Sequence, residues 1–287
     1  MTTPITHVSD TAHWVAMYRA MESERTDALF HDPYARRLAG PQGEQIIERM
    51  PKAKAFAWPM VVRTAVMDEI IVRAVARDGV RMVVNLAAGL DARPFRLELP
   101  RSLRWIDVDL PAMQTAKREA MKAETPRCAL EWIAADLSDA RQRQGVLTAV
   151  AAGPAPGLVI TEGLLIYLEA DQVAALGRDL HGCAPLTWWL TDIASPRLVK
   201  MLERTWGGKL RAGGAPFKFA PAGGTRFFEP LGWSEAEFRS TWEESLRLNR
   251  TMRFARFWNL IGKLYSKKAR EAARRMAGIV LLERRGG

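Results

Sequence analysis

The sequence predicts an α/β protein built on a doubly wound, mostly parallel sheet. Short apolar runs without polar alternation recur along the chain, as strands buried on both faces require, and stretches of helical period separate them. Such alternation argues for a parallel sheet with helices on both faces. Glycine and acidic residues also fall at the ends of these runs, where this architecture gathers its ligands.

Residues 10–78 are mostly helical in period. Asp10 is the expected N-cap, Asp32-Pro33 a break, and Pro59 the opening of a periodic run over 60–77. This preface (1–78) reads as a helical cap on the same domain. The valine-rich run 81–87, ended by Gly89, is the first strand. Strands are expected at 104–108, 130–134, 157–161 and 186–192, with helices at 111–123, 138–151 and 169–182, giving a ligand-binding core over 79–192. The rhythm then breaks. Residues 193–232 are rich in glycine and proline and carry Trp206, Phe217, Phe219, Phe227 and Phe228, which reads as an inserted, mobile lid. Its aromatic residues either pack the lid onto the core or meet a ligand. Residues 233–287 return to the core, with a helix near 254–277 and a last buried strand over 278–283.

Composition narrows the function classes. With 287 residues, 48% hydrophobic and 26% charged, the chain suits a soluble single domain with a sizeable core, and no apolar run approaches the roughly 20 residues of a membrane span. Residues 1–11 lack the charged-then-apolar order of a secretory signal, so a cytoplasmic protein without a membrane partner is expected. Cys128 and Cys183 stand far apart without ligand spacing, which argues against a disulfide framework and a metal site. The net charge of +10 raises nucleic-acid binding, with Arg247, Arg250, Arg253, Arg256, Lys263, Lys267, Lys268, Arg274 and Arg275 in the C-terminal quarter. No nucleic-acid motif accompanies them, so a solvated helical face is expected and no nucleic-acid partner.

The turn after the first strand reads Leu86-Ala87-Ala88-Gly89-Leu90-Asp91-Ala92-Arg93, and Asp109 ends the second strand. A dinucleotide site requires several glycines so that backbone can approach a pyrophosphate at a helix N-terminus; here one glycine survives, and Asp91 would repel a phosphate. A phosphate-free nucleoside fits better. S-adenosylmethionine offers a ribose diol, an adenine, a sulfonium and an amino-acid end. Asp109 is placed to accept from both ribose hydroxyls, or else to cap the helix near Pro111. Asp136 follows the third strand, where it can accept from an adenine amino group while Leu137 covers the ring, or cap a helix. Glu162 ends a buried strand where an unpaired carboxylate would be costly. Arg63 shares a helix face with Val66, Met67 and Ile70, so its guanidinium points inward and needs a carboxylate, either from a ligand or from Asp68 or Glu69.

Taken together, Tyr18-Arg19-Ala20, Phe30-His31-Asp32-Pro33-Tyr34-Ala35, Val62-Arg63-Thr64, Val84-Asn85-Leu86-Ala87-Ala88-Gly89-Leu90-Asp91, Val108-Asp109-Leu110-Pro111, Asp136-Leu137 and Thr161-Glu162-Gly163-Leu164-Leu165-Ile166-Tyr167-Leu168 resemble the leucine carboxyl methyltransferase-like family. The branch it resembles holds bacterial polyketide and mycobacterial S-adenosylmethionine-dependent O-methyltransferases. The resemblance covers most of the chain and is weakest over 195–232. It implies a class I methyltransferase fold, S-adenosylmethionine as cofactor without a metal, and a small-molecule acceptor in secondary metabolism. It also implies that Arg63 holds the cofactor carboxylate, Ala87 and Gly89 line its methionine end, Asp109 takes the ribose, Asp136 and Leu137 take the adenine, and Glu162 forms the inner wall. Arg19 is the expected cofactor contact from the N-terminal helices. One departure is Ala87, where relatives often carry glycine.

Transfer from a sulfonium needs alignment and exclusion of water more than acid-base chemistry. A carboxylate acceptor is already ionised and is favoured. A hydroxyl or phenol acceptor calls for a base, and neither His31 nor His181 is assigned that role; no catalytic residue is named. The alternative of another class is a non-catalytic, basic nucleic-acid-binding protein on the same fold. An RNA methyltransferase is disfavoured, because neither an aromatic-plus-proline tetrapeptide nor paired cysteines are present.

Overall fold

Three helices precede the sheet in the computed structural model, which describes residues 5–262 and 265–286, without the side chains of 256, 258 and 259. They are α1 (Asp10–Ser23), α2 (Ala35–Arg49) and α3 (Ala57–Ala76). Asp10 is not the N-cap of α1. It is the first helical residue, after Ser9, and its carboxylate turns back to accept from the backbone N–H groups of Thr6 and His7. Pro59 stands in the first turn of α3, where its missing N–H has no helical partner to lose. In α2 the backbone kinks at Gly40, whose positive φ of 56° precedes Pro41.

The core then alternates strand and helix: β1 (Met82–Leu86), α4 (Arg93–Arg96), β2 (Arg104–Asp109), α5 (Pro111–Met121), β3 (Ala129–Ala134), α6 (Ala140–Ala151), β4 (Gly157–Thr161), α7 (Ala170–Gly182) and β5 (Leu186–Ala194). β1 and β4 are buried along their whole length, as their unbroken apolar runs predict. A capping box between Glu169 and Gln172 starts α7.

The inserted segment is more regular than its glycine and proline content suggests. It holds α8 (Pro196–Leu202), a π-turn over Glu203–Gly207, α9 (Gly208–Ala212) and a 3-10 stretch over Gly224–Leu231. Its aromatic residues make it cohere. Trp206 packs edge-on against Trp14 and Phe56 with ring centroids 5.1 and 4.9 Å away, whereas Phe219 and Phe228 are buried in the core on one face of the sheet.

After it come β6 (Trp233–Ser240), α10 (Thr241–Arg247), α11 (Ala255–Gly262), α12 (Lys267–Arg274) and β7 (Ala277–Arg284). The single helix expected over 254–277 is two short ones, and β6 is a strand that the apolar pattern did not announce. It is an edge strand, polar and mostly part-exposed between buried Trp233 and Ser240, with an irregularity at Glu235/Glu237.

The strand order is β3-β2-β1-β4-β5-β7-β6, parallel except for β7, which runs antiparallel to both β5 and β6. One face buries Val84, Ile106 and Val159 against α6 and α7, and the other buries Val83, Trp105 and Leu158 against α3. A third apolar cluster joins α1 and α2 to Trp206 and Leu210, so the inserted segment and the N-terminal helices share a core.

Four of the nine C-terminal cations singled out from the sequence pair with carboxylates among the described residues. Arg247 meets Glu69 and Glu244, Arg250 meets Glu22, Arg274 meets Glu271, and Arg275 meets Glu235 and Glu271. Lys263 lies outside the described residues, as does the side chain of Arg256. No described helix is long and apolar enough to cross a membrane.

Candidate functional site

The sheet order reverses between β1 and β4, and the strands' C-terminal ends open there on a cavity of about 1230 Å³. Arg19, Arg63, Ala87, Gly89, Asp109, Asp136, Leu137 and Glu162, the residues singled out from the sequence, all line it. They come from α1, α3 and the loops after β1 to β4, so the topology brings together what lies far apart in the chain.

The loop after β1 turns sharply enough to place both Ala87 and Gly89 in the left-handed region, at φ of 53° and 51°. Glycine adopts that conformation freely, while alanine there costs about 1–2 kcal/mol. Asp109 holds the loop in place. Its Oδ2 accepts the Gly89 N–H at 2.5 Å and its Oδ1 accepts the Leu110 N–H at 2.7 Å. It does not cap α5, whose N-cap residue is Leu110. Each oxygen keeps a second lone pair, so the carboxylate can still receive a diol. Burial pushes the Asp109 carboxyl above its ordinary value, against the pull of the two backbone N–H groups.

Asp136 is likewise no helix cap. Its Oδ1 accepts the backbone N–H and the hydroxyl of Ser138, at 2.9 and 2.7 Å, and Asp139 caps α6 instead. Beside it, Leu137 packs its side chain on the core.

Around Glu162 lies a network of buried charges. Its Oε1 accepts from Arg63 Nε at 2.9 Å and its Oε2 from Arg93 Nη1 at 2.6 Å. Arg63 Nη1 also donates to Asp192 at 3.1 Å, and Arg63 Nη2 has no acceptor among the described residues. Thus Arg63 finds carboxylates, but neither Asp68 nor Glu69. Those residues, five and six positions on, sit elsewhere around α3: Asp68 binds Arg93 and Arg96, and Glu69 binds Arg239 and Arg247. Arg19 joins Asp32 at 2.8 Å and donates to the Leu90 carbonyl at 2.6 Å, clasping the loop after β1 from the side of α1. Asp91 accepts from Asn85 and Arg93. Burial alone would raise the Glu162 and Asp91 carboxyls, but the facing guanidinium groups outweigh it and hold both below their ordinary values.

Sequence reasoning missed Arg93 and Asp192. Asp192 carried a readable signal, an acidic residue near the end of a strand like Asp109 and Glu162. Arg93 carried none, because its role depends on three carboxylates supplied by separate elements.

The network sets five carboxylates (Asp32, Asp68, Asp91, Glu162, Asp192) against four guanidinium groups (Arg19, Arg63, Arg93, Arg96). Asp109 and Asp136 add further acid to the cavity wall, so this half suits a ligand bearing positive charge. The rest of the lining combines the rings of Trp14, Phe56, Trp206 and Phe217 and the side chain of Met60 with the charged residues Arg211, Lys218, Glu243, Arg270 and Arg274. Of the histidines only His7 is among the described lining residues; His31 is exposed, and His181 packs against Trp233. Among the described residues no cluster of His, Cys, Asp or Glu is arranged to hold a metal ion.

Comparison with known proteins agrees with this architecture. A Streptomyces avermitilis protein, named as a candidate S-adenosyl-L-methionine-dependent methyltransferase, is 37% identical over 179 residues, covering 58% of this chain and 62% of its own. A Mycobacterium tuberculosis protein named in the same way is 37% identical over 193 residues, covering 62% of this chain and 63% of its own. The matched stretch thus spans less than two thirds of either relative. Among solved structures, a DUF574 family protein from Streptomyces avermitilis superimposes with a TM-score of 0.58 at 14% identity, covering 99% of both chains. A candidate methyltransferase from Thermobifida fusca does so with 0.57 at 14%, covering 94% of this chain and 95% of its own; both share the fold. The family model for leucine carboxyl methyltransferase matches residues 12–181, more than half the chain, and the protein belongs to that family.

Proposed function

We propose that this protein binds S-adenosylmethionine and transfers its methyl group to an oxygen of a small-molecule acceptor, with a carboxylate as the preferred acceptor and secondary metabolism as the setting. The observation that carries the reading is the convergence of Arg63, the Ala87–Gly89 turn, Asp109, Asp136 and Glu162 on one cavity wall with an excess of acid. Asp109 would receive the ribose diol, Asp136 and Leu137 the adenine, and the open Nη2 of Arg63 the cofactor's carboxylate. Arg19 would act from the α1 side by holding the loop at Leu90. The cofactor supplies an activated methyl group on a sulfonium. The protein's part is to align an acceptor oxygen with that methyl group and keep water away, which the aromatic lining of Trp14, Phe56, Trp206 and Phe217 suits.

A hydroxyl acceptor is the second reading. Asp192 favours it, since this cavity-lining carboxylate could receive the acceptor's proton. The internal pairing of Arg247, Arg250, Arg274 and Arg275 supports a small molecule over a nucleic acid as partner.

Calorimetric titration of S-adenosylmethionine, with NADH as control, into wild type and Asp109→Ala tests the reading. Binding of S-adenosylmethionine alone, weakened about tenfold or more in the variant, is expected from loss of a charged hydrogen-bond acceptor. Absence of binding to the wild type would overturn it. Turnover assays with aromatic and aliphatic acids beside phenols would then separate the two acceptor readings.

A further inference from the structure

Arg93 is 2% exposed and is not among the cavity-lining residues, yet it meets three carboxylates that separate elements deliver. Its Nε donates to Asp68 of α3 at 2.6 Å. Its Nη1 donates to Asp91 of the loop after β1 at 2.8 Å and to Glu162 at the end of β4 at 2.6 Å, and its backbone N–H donates to Asp91 at 2.9 Å. We propose that Arg93 is a positioning residue: it orients Glu162 and anchors the 87–91 loop, so that a guanidinium outside the cavity sets the geometry of the wall that faces the cofactor. The inference rests on the cofactor reading above.

The geometry favours this role over simple neutralisation. A planar guanidinium directs its N–H groups along fixed lines, whereas an ammonium group is a point charge with rotatable donors. Glu162 is gripped from two sides, by Arg63 facing the cavity and by Arg93 behind it. Arg63 is in turn tied to Asp192, whose other oxygen accepts the Gly163 N–H at 2.6 Å. Releasing Glu162 from Arg93 therefore loosens the loops after β1 and β4 together.

Charge makes the role measurable. The groups facing this cluster are Arg63 and Asp68 from α3, Arg96 from α4, Arg19 with Asp32 from the N-terminal region, Asp192 from β5, the buried Lys117–Asp107 pair, and Tyr167. Without Arg93, Asp91 and Glu162 lose a shared cation, and their carboxyls rise from their lowered values. At low pH the wall then holds an extra proton and binds the cationic cofactor poorly; at high pH it ionises again and binding recovers.

The experiment is calorimetric binding of S-adenosylmethionine from pH 6 to 8.5 to the full chain, wild type, Arg93→Lys and Arg93→Gln, with urea unfolding to verify the fold. Wild type is expected to be nearly flat with pH. Arg93→Lys is expected to bind about tenfold more weakly, the scale of one charge-assisted hydrogen bond. Arg93→Gln is expected to bind more weakly still at pH 6 and to recover as pH rises. If Arg93→Gln does not fold, Arg93→Lys decides; if neither folds, Asp68→Asn, which slackens Arg93 without removing its charge, is expected to weaken binding about threefold. Folded variants that match wild type across the range would overturn the role of Arg93 while leaving the cofactor reading intact. Wild-type protein that binds no S-adenosylmethionine would overturn the cofactor reading itself.

Discussion

The two halves of the cavity are built on different principles. The half at the ends of β1, β2 and β4 is closed by charge: guanidinium and carboxylate groups from α1, α3, α4, β4 and β5 are matched at distances of 2.6 to 3.1 Å. The opposite half is closed by rings, with Trp206 of the inserted segment set edge-on against Trp14 of α1 and Phe56 before α3. A charged network has one good geometry, because each buried charge lacking its partner is costly. Edge-on rings are held by burial and weak quadrupole contacts, and none of them leaves an unpaired charge when its neighbour changes. Under the proposed function, the charged wall would hold the cofactor and the ring-lined wall the acceptor.

The largest test is Arg63→Ala. It leaves Asp192 without its cation and Glu162 held by Arg93 alone, and removing one member of a buried ion pair costs about 3–5 kcal/mol. Urea unfolding should show that loss, and S-adenosylmethionine binding should fall beyond calorimetric detection. A variant of wild-type affinity would break the comparison at its polar end.

Trp206→Ala probes the other half. The side chain is 8% exposed and its Nε1 donates to the Pro51 carbonyl at 2.8 Å, so truncation should cost about 3–5 kcal/mol. In contrast to Arg63→Ala, its cofactor affinity should stay within about threefold of wild type once folded protein is selected, a change of under 1 kcal/mol. A large loss would mean that the two halves are coupled.

Acid probes the charged wall. Glu162 and Asp91 sit below their ordinary values of 4.5 and 3.8, so the stability they contribute is complete above that range and disappears as pH falls through their lowered folded values. Asp107 and Asp109, raised by burial, act in the opposite sense and offset part of the loss. The urea midpoint should therefore hold between pH 7 and 5 and drop below about pH 4. An unchanged midpoint at pH 3 would deny the network its role in stability.

The smallest effect is expected of Ala87→Gly. Relief of the left-handed alanine at φ 53° is opposed by the greater unfolded-state freedom of glycine, leaving a gain of at most about 1 kcal/mol. Thermal unfolding should shift upward by no more than about 2–4 °C. A decrease would show that the methyl group makes a contact worth more than the strain.

Much of the protein was determined by the sequence alone. The unbroken apolar runs at 82–86 and 157–161 announce strands buried on both faces, because a strand with helices on each side has no polar side to show. Part of the cavity wall was also legible, since a strand's C-terminal end is a fixed address in a parallel sheet and Asp109, Asp136 and Glu162 stand just there. Three things were decided only by the tertiary structure. β6 is an edge strand whose polar composition resembles a loop, and only pairing with β7 gives it definition. The glycine- and proline-rich segment folds into short helices because Trp206, Phe219 and Phe228 find partners elsewhere in the chain. The choice of ion partners, Arg63 with Glu162 and Asp192 across 99 and 129 residues and Arg93 among three carboxylates, depends on distances that no local pattern records, since electrostatic pairing acts through space and not along the chain.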